Sequence, residues 1–240
     1  MPRDESVIPL LATYLVSGLV LLIGGRVLGR VTYPLAALPF LATLAWLAVR
    51  HGELSGGIDE TTRWVPSLRL DLQLRVDGLA ALMLLLVAGI GLLVVVYSAY
   101  YFSTAPSRLV GLLVLFAGSM AGLVVADNLI VLYGFWELTS ITSFLLIGDR
   151  HGDPKARAAA LQALLITGAG GLAMLAGFVI LGVESGTYQL SAILSDPPGG
   201  ATASIALALV LLGAFTKSAQ YPFQGWLPAA MVAPTPVSTY

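Results

Sequence analysis

Two charged residues lie inside long apolar segments of this 240-residue chain, and their types could support proton chemistry. Glu137 stands in IVLYGFWELTSITSFLLIG, and Lys217 stands in SIALALVLLGAFTKSAQ. A charge at the centre of a bilayer costs roughly 2.5–3.5 kcal/mol, so such residues usually face a protein interior or a water-filled cavity. Glu and Lys have opposite charges, and both can become neutral when their surroundings change. The two residues therefore predict a path for protons or ions.

Hydroxyl groups accompany Glu137 on its own segment. In a helix, Ser140 would share a face with Glu137, with Thr139 beside it, and both could bond the carboxylate or hold water near it. Simpler interpretations stay open at this point. Glu137 could only fix helix packing, the hydroxyls could only bond across helices, and Lys217 could extend its amine to the membrane interface.

Several prolines follow Lys217 closely, at positions 222, 228, 234 and 236. A proline removes the bond from its nitrogen to the carbonyl four residues earlier, so Pro222 would free the carbonyl of Ser218. Broken backbone at membrane depth is tolerated only where it is buried in protein or lines a cavity. Interrupted helices often mark ion sites in transporters. We therefore predict a helix broken after Lys217, with Gln220 and Pro222 as supporting residues.

The composition is that of an integral membrane protein. Hydrophobic residues make up 58% of the chain and charged residues only 10%, whereas a soluble domain carries about 25% charged residues. The net charge of −1 gives no reason to expect nucleic acid. Cysteine is absent, which excludes disulfides and cysteine-ligated iron–sulfur clusters, and two loop histidines are too few for a metal site. We expect no cofactor.

The apolar segments predict an all-α, polytopic bundle of about seven transmembrane helices, the seventh broken. Their expected ranges are 7–25, 31–49, 78–100, 109–126, 129–147, 158–183 and 201–220. The first range is too long for a signal-peptide core of about 7–15 residues, so we expect a retained helix. Polar and apolar residues alternate over 67–76, which predicts a small extramembrane β element around 64–76.

The connecting segments give further expectations. Asp77 should cap the third helix, Asp127 and Asn128 should form a turn and helix cap rather than an ion site, and residues 188–194 should form a short surface helix. Lys and Arg number six in loops one, three and five and five on the opposite side, which favours an N-terminus outside. His151, in the charged hairpin after the fifth helix, could sample protons at a channel mouth or simply lie at the surface.

Three segments resemble the A subunit of the multisubunit Mrp-type cation/proton antiporters. They are DNLIVLYGFWELTSITSFLLIG, GAFTKSAQYPFQGWLPAAMVAPTPVSTY and, more loosely, VDGLAALMLLLVAGIGLLVVVYSAYYF. The wider family includes antiporter-like subunits of respiratory complex I and of membrane-bound hydrogenases. The resemblance implies that Glu137 and Lys217 form a switchable ion pair in a proton path, with Ser140, Thr139, Gln220, Pro222 and His151 as possible supporting or gating residues.

The resemblance also implies partners and a setting. We expect a multi-pass subunit of a bacterial-type cell membrane, a transporter rather than an enzyme, working with other antiporter subunits, protons, Na+ or K+ and the lipid bilayer. Helices one to four with the β element would form one part, residues 1–128. Residues 129–240 would form an incomplete antiporter-like part, since family members continue with a histidine-bearing helix and a second repeat.

Two other classes of function remain possible from the sequence alone. The chain could be a proton-pumping subunit of a complex I-type or hydrogenase redox complex, in which partner subunits supply the redox groups. It could also be a structural membrane part without transport of its own.

Overall fold

A computed structural model describes residues 7–54, 56–65, 70–150 and 152–240. In chain order its elements are α1 Val7–Gly24, α2 Thr32–Arg50, β1 Ile58–Val65, β2 Leu70–Val76, α3 Gly78–Tyr101, α4 Ser107–Val125, α5 Leu129–Ile147, α6 Pro154–Ser185, α7 Leu190–Ser195, α8 Gly200–Lys217, α9 Trp226–Ala230 and α10 Thr235–Thr239, with a 3-10 segment Gly25–Val31 after α1. Within these ranges seven helices, namely α1 to α6 and α8, are long and apolar enough to cross a membrane. The prediction of a seven-span bundle is confirmed.

The β element is a two-stranded sheet of β1 and β2. Its second strand was predicted from alternation, although residues 67–69 of that pattern lie outside the described part. The first strand, IDETTRWV, was missed because its central residues are all polar. Asp59 and Arg75 form an ion pair of 3.2 Å between the two strands.

The described residues form two compact units. The first contains the described residues of 7–60, 75–125 and 233–240. In its interior the Tyr14 hydroxyl and the Thr43 hydroxyl are 2.8 Å apart, and the Tyr14 ring stands edge-on to Phe40. The carboxylate of Glu60 accepts a 2.7 Å bond from the Val7 amide, which places a negative charge at the start of α1, where exposed amides favour it.

The second unit comprises residues 61–74 and 126–232 and contains α5, α6 and α8. Glycines let α6 and α8 approach closely: a Cβ at Gly213 would lie 2.7 Å from the carbonyl oxygen of Gly170, and one at Gly177 would lie 2.6 Å from that of Ala206. Small residues at a crossing are the usual device for close helix packing in lipid. The glycines thus determine the position of α8 along its axis relative to α6.

Caps define where the helices of this unit begin. The Asn128 side chain accepts bonds from the Ile130 and Val131 amides at the start of α5. The neighbouring Asp127 carboxylate is buried and accepts from the amide of Ser191, its hydroxyl and the amide group of Gln189. Both residues therefore serve the helix starts, as predicted, and the Asp77 cap on Ala80 at the start of α3 is confirmed in the other unit.

Candidate functional site

The amine of Lys217 is bound by the helix that carries Glu137. Its Nζ donates a 3.0 Å bond to the carbonyl oxygen of Trp136, a 2.8 Å bond to the Ser140 hydroxyl and a short bond to the Thr139 hydroxyl. The ammonium also lies 4.8 Å from the centre of the Trp136 ring, within reach of a cation–π interaction. An ammonium has three N–H donors, so these contacts satisfy all of them.

These contacts place the amine near mid-membrane. Thr139 and Ser140 are the eleventh and twelfth residues of the 19-residue helix α5, so the bonds lie about 15 Å along it, half of a hydrocarbon core of about 30 Å. Both hydroxyls are buried, with exposed fractions of 3% and 4%. Lys217 therefore points toward α5 within the second unit, which favours a buried amine over one extended to the membrane interface.

The chain break after Lys217 is confirmed, but its cause differs from the prediction. Ala219 has a left-handed φ of 52°, the Gln220 amide bonds the carbonyl of Phe215 at 3.0 Å, and the Ala219 amide bonds that of Thr216 at 3.4 Å. This is a Schellman motif, which ends a helix without proline. Pro222 lies beyond the end of α8 and removes no bond within it.

The freed end of α8 is held by an indole. Trp226 at the start of α9 donates its Nε1 proton to the carbonyl oxygen of Thr216 at 2.9 Å. Its ring packs against an apolar cluster that includes Ile147 of α5 and Ala160 of α6. The Thr216 carbonyl at the end of α8 thus has a partner, whereas Ser218, Gln220 and Pro222 beyond it are exposed in the described part of the chain.

The Glu137 carboxylate sits over Gly171 of α6. A Cβ at Gly171 would overlap the position of Glu137 Oε1, so only glycine leaves this space open. Oε1 is shielded from solvent and has no hydrogen-bond partner among the described residues. Tyr133 and Trp136 precede Glu137 on α5. Both pack against an apolar cluster formed by Leu129, Met174, Phe178, Leu181, Ile193 and Ala206. The carboxylate therefore has apolar surroundings on that side.

The expected ion pair between Glu137 and Lys217 is not formed in this structure. Within the described ranges the salt bridges of 4.0 Å or less do not include these two groups, although the two charges still act on each other electrostatically. The reason is local: Thr139 and Ser140 lie two and three residues beyond Glu137 and already take the three protons of the amine together with the Trp136 carbonyl. The hydroxyls thus bind the lysine rather than the carboxylate.

The other residues predicted for the site are not shown beside the Lys217 amine. The side chains of Gln220 and Pro222 are exposed, and Gln220 contributes its backbone to the helix end. His151 lies outside the described residues. Gly171 was not predicted, and its only signal was the small-residue run Gly168-Ala169-Gly170-Gly171. Trp226 was predicted only to pack or to anchor at an interface, because no periodicity indicates the fold-back that brings it to Thr216.

Substitution of Gly171 by alanine should displace the Glu137 carboxylate. The atom that the added methyl group would meet is the end of a flexible side chain, so the carboxylate can rotate away at little cost in stability. We expect a melting temperature close to that of the parent and a several-fold loss of any transport that depends on Glu137, measured on the purified protein and in vesicles.

The matched control is Gly168→Ala on the same helix. Among the described atoms nothing lies within 4 Å of a Cβ at Gly168, and alanine favours a helix more than glycine does. That variant should be as stable as the parent or more so. Equal behaviour of the two variants would show that Gly171 does not set the position of the carboxylate.

Residues 126–240 match the family described as "NADH:quinone oxidoreductase/Mrp antiporter, TM", and residues 64–110 match "NADH-Ubiquinone oxidoreductase (complex I), chain 5 N-terminus". The chain belongs to the NADH:quinone oxidoreductase/Mrp antiporter family. The first match contains every residue of the site around Lys217.

Within this family the chain is similar to the A subunits of antiporters. It is 46% identical over 220 residues to the probable A/B subunit of a K(+)/H(+) antiporter of Rhizobium meliloti (strain 1021), covering 88% of this chain and 22% of that protein. It is 48% identical over 191 residues to the A subunit of the Na(+)/H(+) antiporter of Alkalihalophilus pseudofirmus, covering 77% and 24%. The predicted likeness to Mrp A subunits is confirmed, and the chain spans about a quarter of the length of these relatives.

Two solved structures share the fold of this NADH:quinone oxidoreductase/Mrp antiporter family member. A chain of the Mrp complex from Dietzia sp. DQ12-45-1b matches with a TM-score of 0.86 and 37% identity over 97% of this chain and 26% of that one. A chain of a membrane-bound sulfane sulfur reductase, an archaeal respiratory membrane complex, matches with a TM-score of 0.82 over 98% of this chain and 49% of that one. At 19% identity the second match shows the fold alone.

Proposed function

We propose that this chain forms part of the proton path in a multisubunit monovalent cation/proton antiporter of a bacterial cell membrane. The relatives that carry about 46–48% identity are named as subunits of K+/H+ and Na+/H+ antiporters. Its partners would be further antiporter subunits, protons, Na+ or K+, and the surrounding lipid. The role is transport rather than catalysis, so the chain has no reaction to perform beyond holding and passing protons.

The binding of Lys217 to α5 is the observation that carries the proposal. An amine at mid-membrane, at the end of an interrupted helix, is held by two hydroxyls and a carbonyl on the helix that also bears Glu137. Two arrangements are then available to one flexible side chain. In one the ammonium is bound by Thr139 and Ser140, and in the other it moves less than one helical turn to pair with Glu137.

The protonation states of Lys217 and Glu137 would determine which of these two arrangements forms. An ammonium needs acceptors for three protons, whereas a neutral amine needs fewer and no longer attracts the carboxylate. Glu137 has an unpartnered buried oxygen, which favours either proton uptake or the approach of a cation. Movement of the ammonium toward Glu137 would stabilise both charges. When the two groups separate, the ammonium would lose this stabilisation and pass one proton to water in the path, leaving a neutral amine that needs fewer acceptors. The membrane potential contributes about 2.3 kcal/mol per charge across 100 mV.

Proton exchange by the complete assembly containing this chain tests the proposal. The assembly is reconstituted into vesicles that are acidic inside, and a pH-sensitive dye reports the interior after Na+, K+ or choline is added outside. Na+ or K+ should make the interior alkaline, whereas choline, which is too large for a monovalent metal site, should not. A vesicle that ignores both cations but acidifies when an electron donor is supplied would replace antiport with redox-driven pumping.

A further inference from the structure

Trp136 of α5 carries a buried hydrogen-bond donor without a partner. Its indole Nε1 is shielded from solvent and makes no hydrogen bond among the described residues. The ring packs against the apolar cluster that includes Met174 and Phe178 of α6 and Ala206 of α8, and α5, α6 and α8 are described over their full lengths. Buried polar groups in proteins are nearly always hydrogen-bonded, so this exception calls for an explanation.

A buried acceptor without a partner lies beside this donor. Glu137 Oε1 overlaps the position that a Cβ on Gly171 would take, and Trp136 Cδ1 lies 3.7 Å from that position. Nε1 is bonded to Cδ1, so the unpartnered N–H and the unpartnered oxygen lie around the same point of α6. An indole N–H and a carboxylate oxygen are complementary, and each would satisfy the other.

The same residue contacts the other charge of the site. Lys217 Nζ lies 4.8 Å from the centre of the Trp136 ring and donates a 3.0 Å bond to the Trp136 carbonyl oxygen. The face of an aromatic ring is partly negative and suits an ammonium, whereas its edge is partly positive and suits a carboxylate. One side chain can therefore stabilise Lys217 at its face and Glu137 at its edge.

Few other groups compete for the Glu137 carboxylate. The stretch 158–183 of α6 contains no Asp, Glu, Lys or Arg, and the groups of α5 and α8 that act on Glu137 electrostatically are Tyr133 and Lys217. The three N–H donors of Lys217 are already bound on α5. Because the last torsion of a glutamate side chain is broad, the carboxylate can turn over Gly171 toward the indole at little cost.

We infer that the Trp136 N–H donates a hydrogen bond to Glu137 Oε1 and holds that carboxylate in its ionised form. It does so while Lys217 is bound by the two hydroxyls of α5, because a hydrogen bond to the charged form favours that form. When the ammonium approaches Glu137, it replaces the indole as the partner of the carboxylate. Trp136 is thus a positioning residue for both charges. This inference rests on the proposed proton path and adds a third member to it.

Infrared difference spectroscopy of the complete assembly in vesicles tests the hydrogen bond. The protonated form of Glu137 gives a carboxyl C=O band, which is identified by its absence in Glu137→Gln. All variants are compared at the pH where the parent shows half of its full band. Trp136→Phe keeps an aromatic ring for the ammonium but removes the N–H. The ratio of protonated to ionised Glu137 should then rise about tenfold, which corresponds to about 1.4 kcal/mol for a hydrogen bond to a charged group.

A second substitution keeps the shape of the indole. Incorporation of 3-benzothienylalanine in place of Trp136 exchanges the N–H for a sulfur atom and retains both fused rings, so it should raise the ratio to the same extent as phenylalanine. The matched control is Trp46→Phe, the same change at a tryptophan of α2 in the first unit. That variant should show the ratio of the parent.

Three results would overturn the inference. An unchanged ratio in Trp136→Phe would show that the indole does not hold the carboxylate. A rise with phenylalanine but not with 3-benzothienylalanine would assign the effect to ring packing. A rise in Tyr133→Phe, with none in the Trp136 variants, would make the Tyr133 hydroxyl the donor. The proposed function fails by a different result: if Glu137→Gln exchanges cations for protons like the parent, the proton path is wrong although the hydrogen bond stands.

Discussion

Cation-driven proton exchange should fall by at least roughly 100-fold when Lys217 is replaced with alanine, because a positioned proton-transfer group contributes about 10²–10⁴-fold to a step that needs it. The substitution removes the group that connects α8 to Trp136, Thr139 and Ser140. It would leave the two hydroxyls without their cation and Glu137 without an opposite charge within reach. Dye-monitored exchange in vesicles, with the amount of assembled protein checked by immunoblot, measures the effect.

Arginine at position 217 separates a proton carrier from a fixed charge. Arg keeps the positive charge but does not release its proton at any pH the protein experiences. If the amine of Lys217 must give up its proton, Lys217→Arg should be as inactive as Lys217→Ala although it restores the charge. Substantial exchange by the arginine variant would assign Lys217 a purely electrostatic role.

A matched control for both Lys217 variants is Lys155→Ala. Lys155 is an exposed lysine at the start of α6, on the same unit of the protein. It should exchange at the rate of the parent. A comparable loss in this control would mean that the assay reports general damage to the assembly rather than the function of the buried amine.

Much of the fold follows from apolar length and from caps. The seven spans were predicted because runs of about 20 apolar residues have one stable form in lipid. The predicted start of the sixth helix, at 158, was wrong by four residues, since α6 begins at Pro154 after the Asp153 cap. A hydropathy pattern predicts only where an apolar segment begins. A capping residue can start the helix earlier, among charged residues.

In the sheet, β2 could be predicted from the sequence but β1 could not. β2 alternates because one of its faces is covered, and that alternation predicted a strand. The Asp59 to Arg63 stretch of β1 has no such period, because it consists of polar residues that pair with β2 through backbone and ion-pair contacts. A strand without a buried face leaves no hydrophobic signal.

At the site, residue types predicted the participants but not their partners. The sequence placed Glu137 and Lys217 on two spans. Whether the amine meets the carboxylate or the two hydroxyls depends on the position of α8 along its own axis. The close contact between Gly170 and Gly213 sets that position. Such a crossing combines distant parts of the chain, so no local pattern could predict it.

Glutamine at position 137 should abolish exchange and yet leave the protein at least as stable as the parent. The amide keeps the shape of the side chain over Gly171 but can neither take up nor release a proton. Oε1 is buried and unpartnered among the described residues, so the ionised carboxylate is held at a free-energy cost that the neutral amide avoids. Exchange should fall at least roughly 100-fold, the same size of effect as at Lys217, since each substitution removes a proton-transfer group and such groups contribute about 10²–10⁴-fold.

The opposite directions of these two effects identify the role of Glu137. A structural residue would lose stability and exchange together, whereas a proton-handling residue loses exchange alone. Thermal unfolding of the purified protein and exchange in vesicles are therefore measured on the same preparations. Glu184→Gln, at an exposed glutamate near the end of α6, is the control and should change neither quantity. If Glu137→Gln melts at a clearly lower temperature than this control, Glu137 stabilises the packing of the helices. If it exchanges as fast as this control, Glu137 is not part of the proton path.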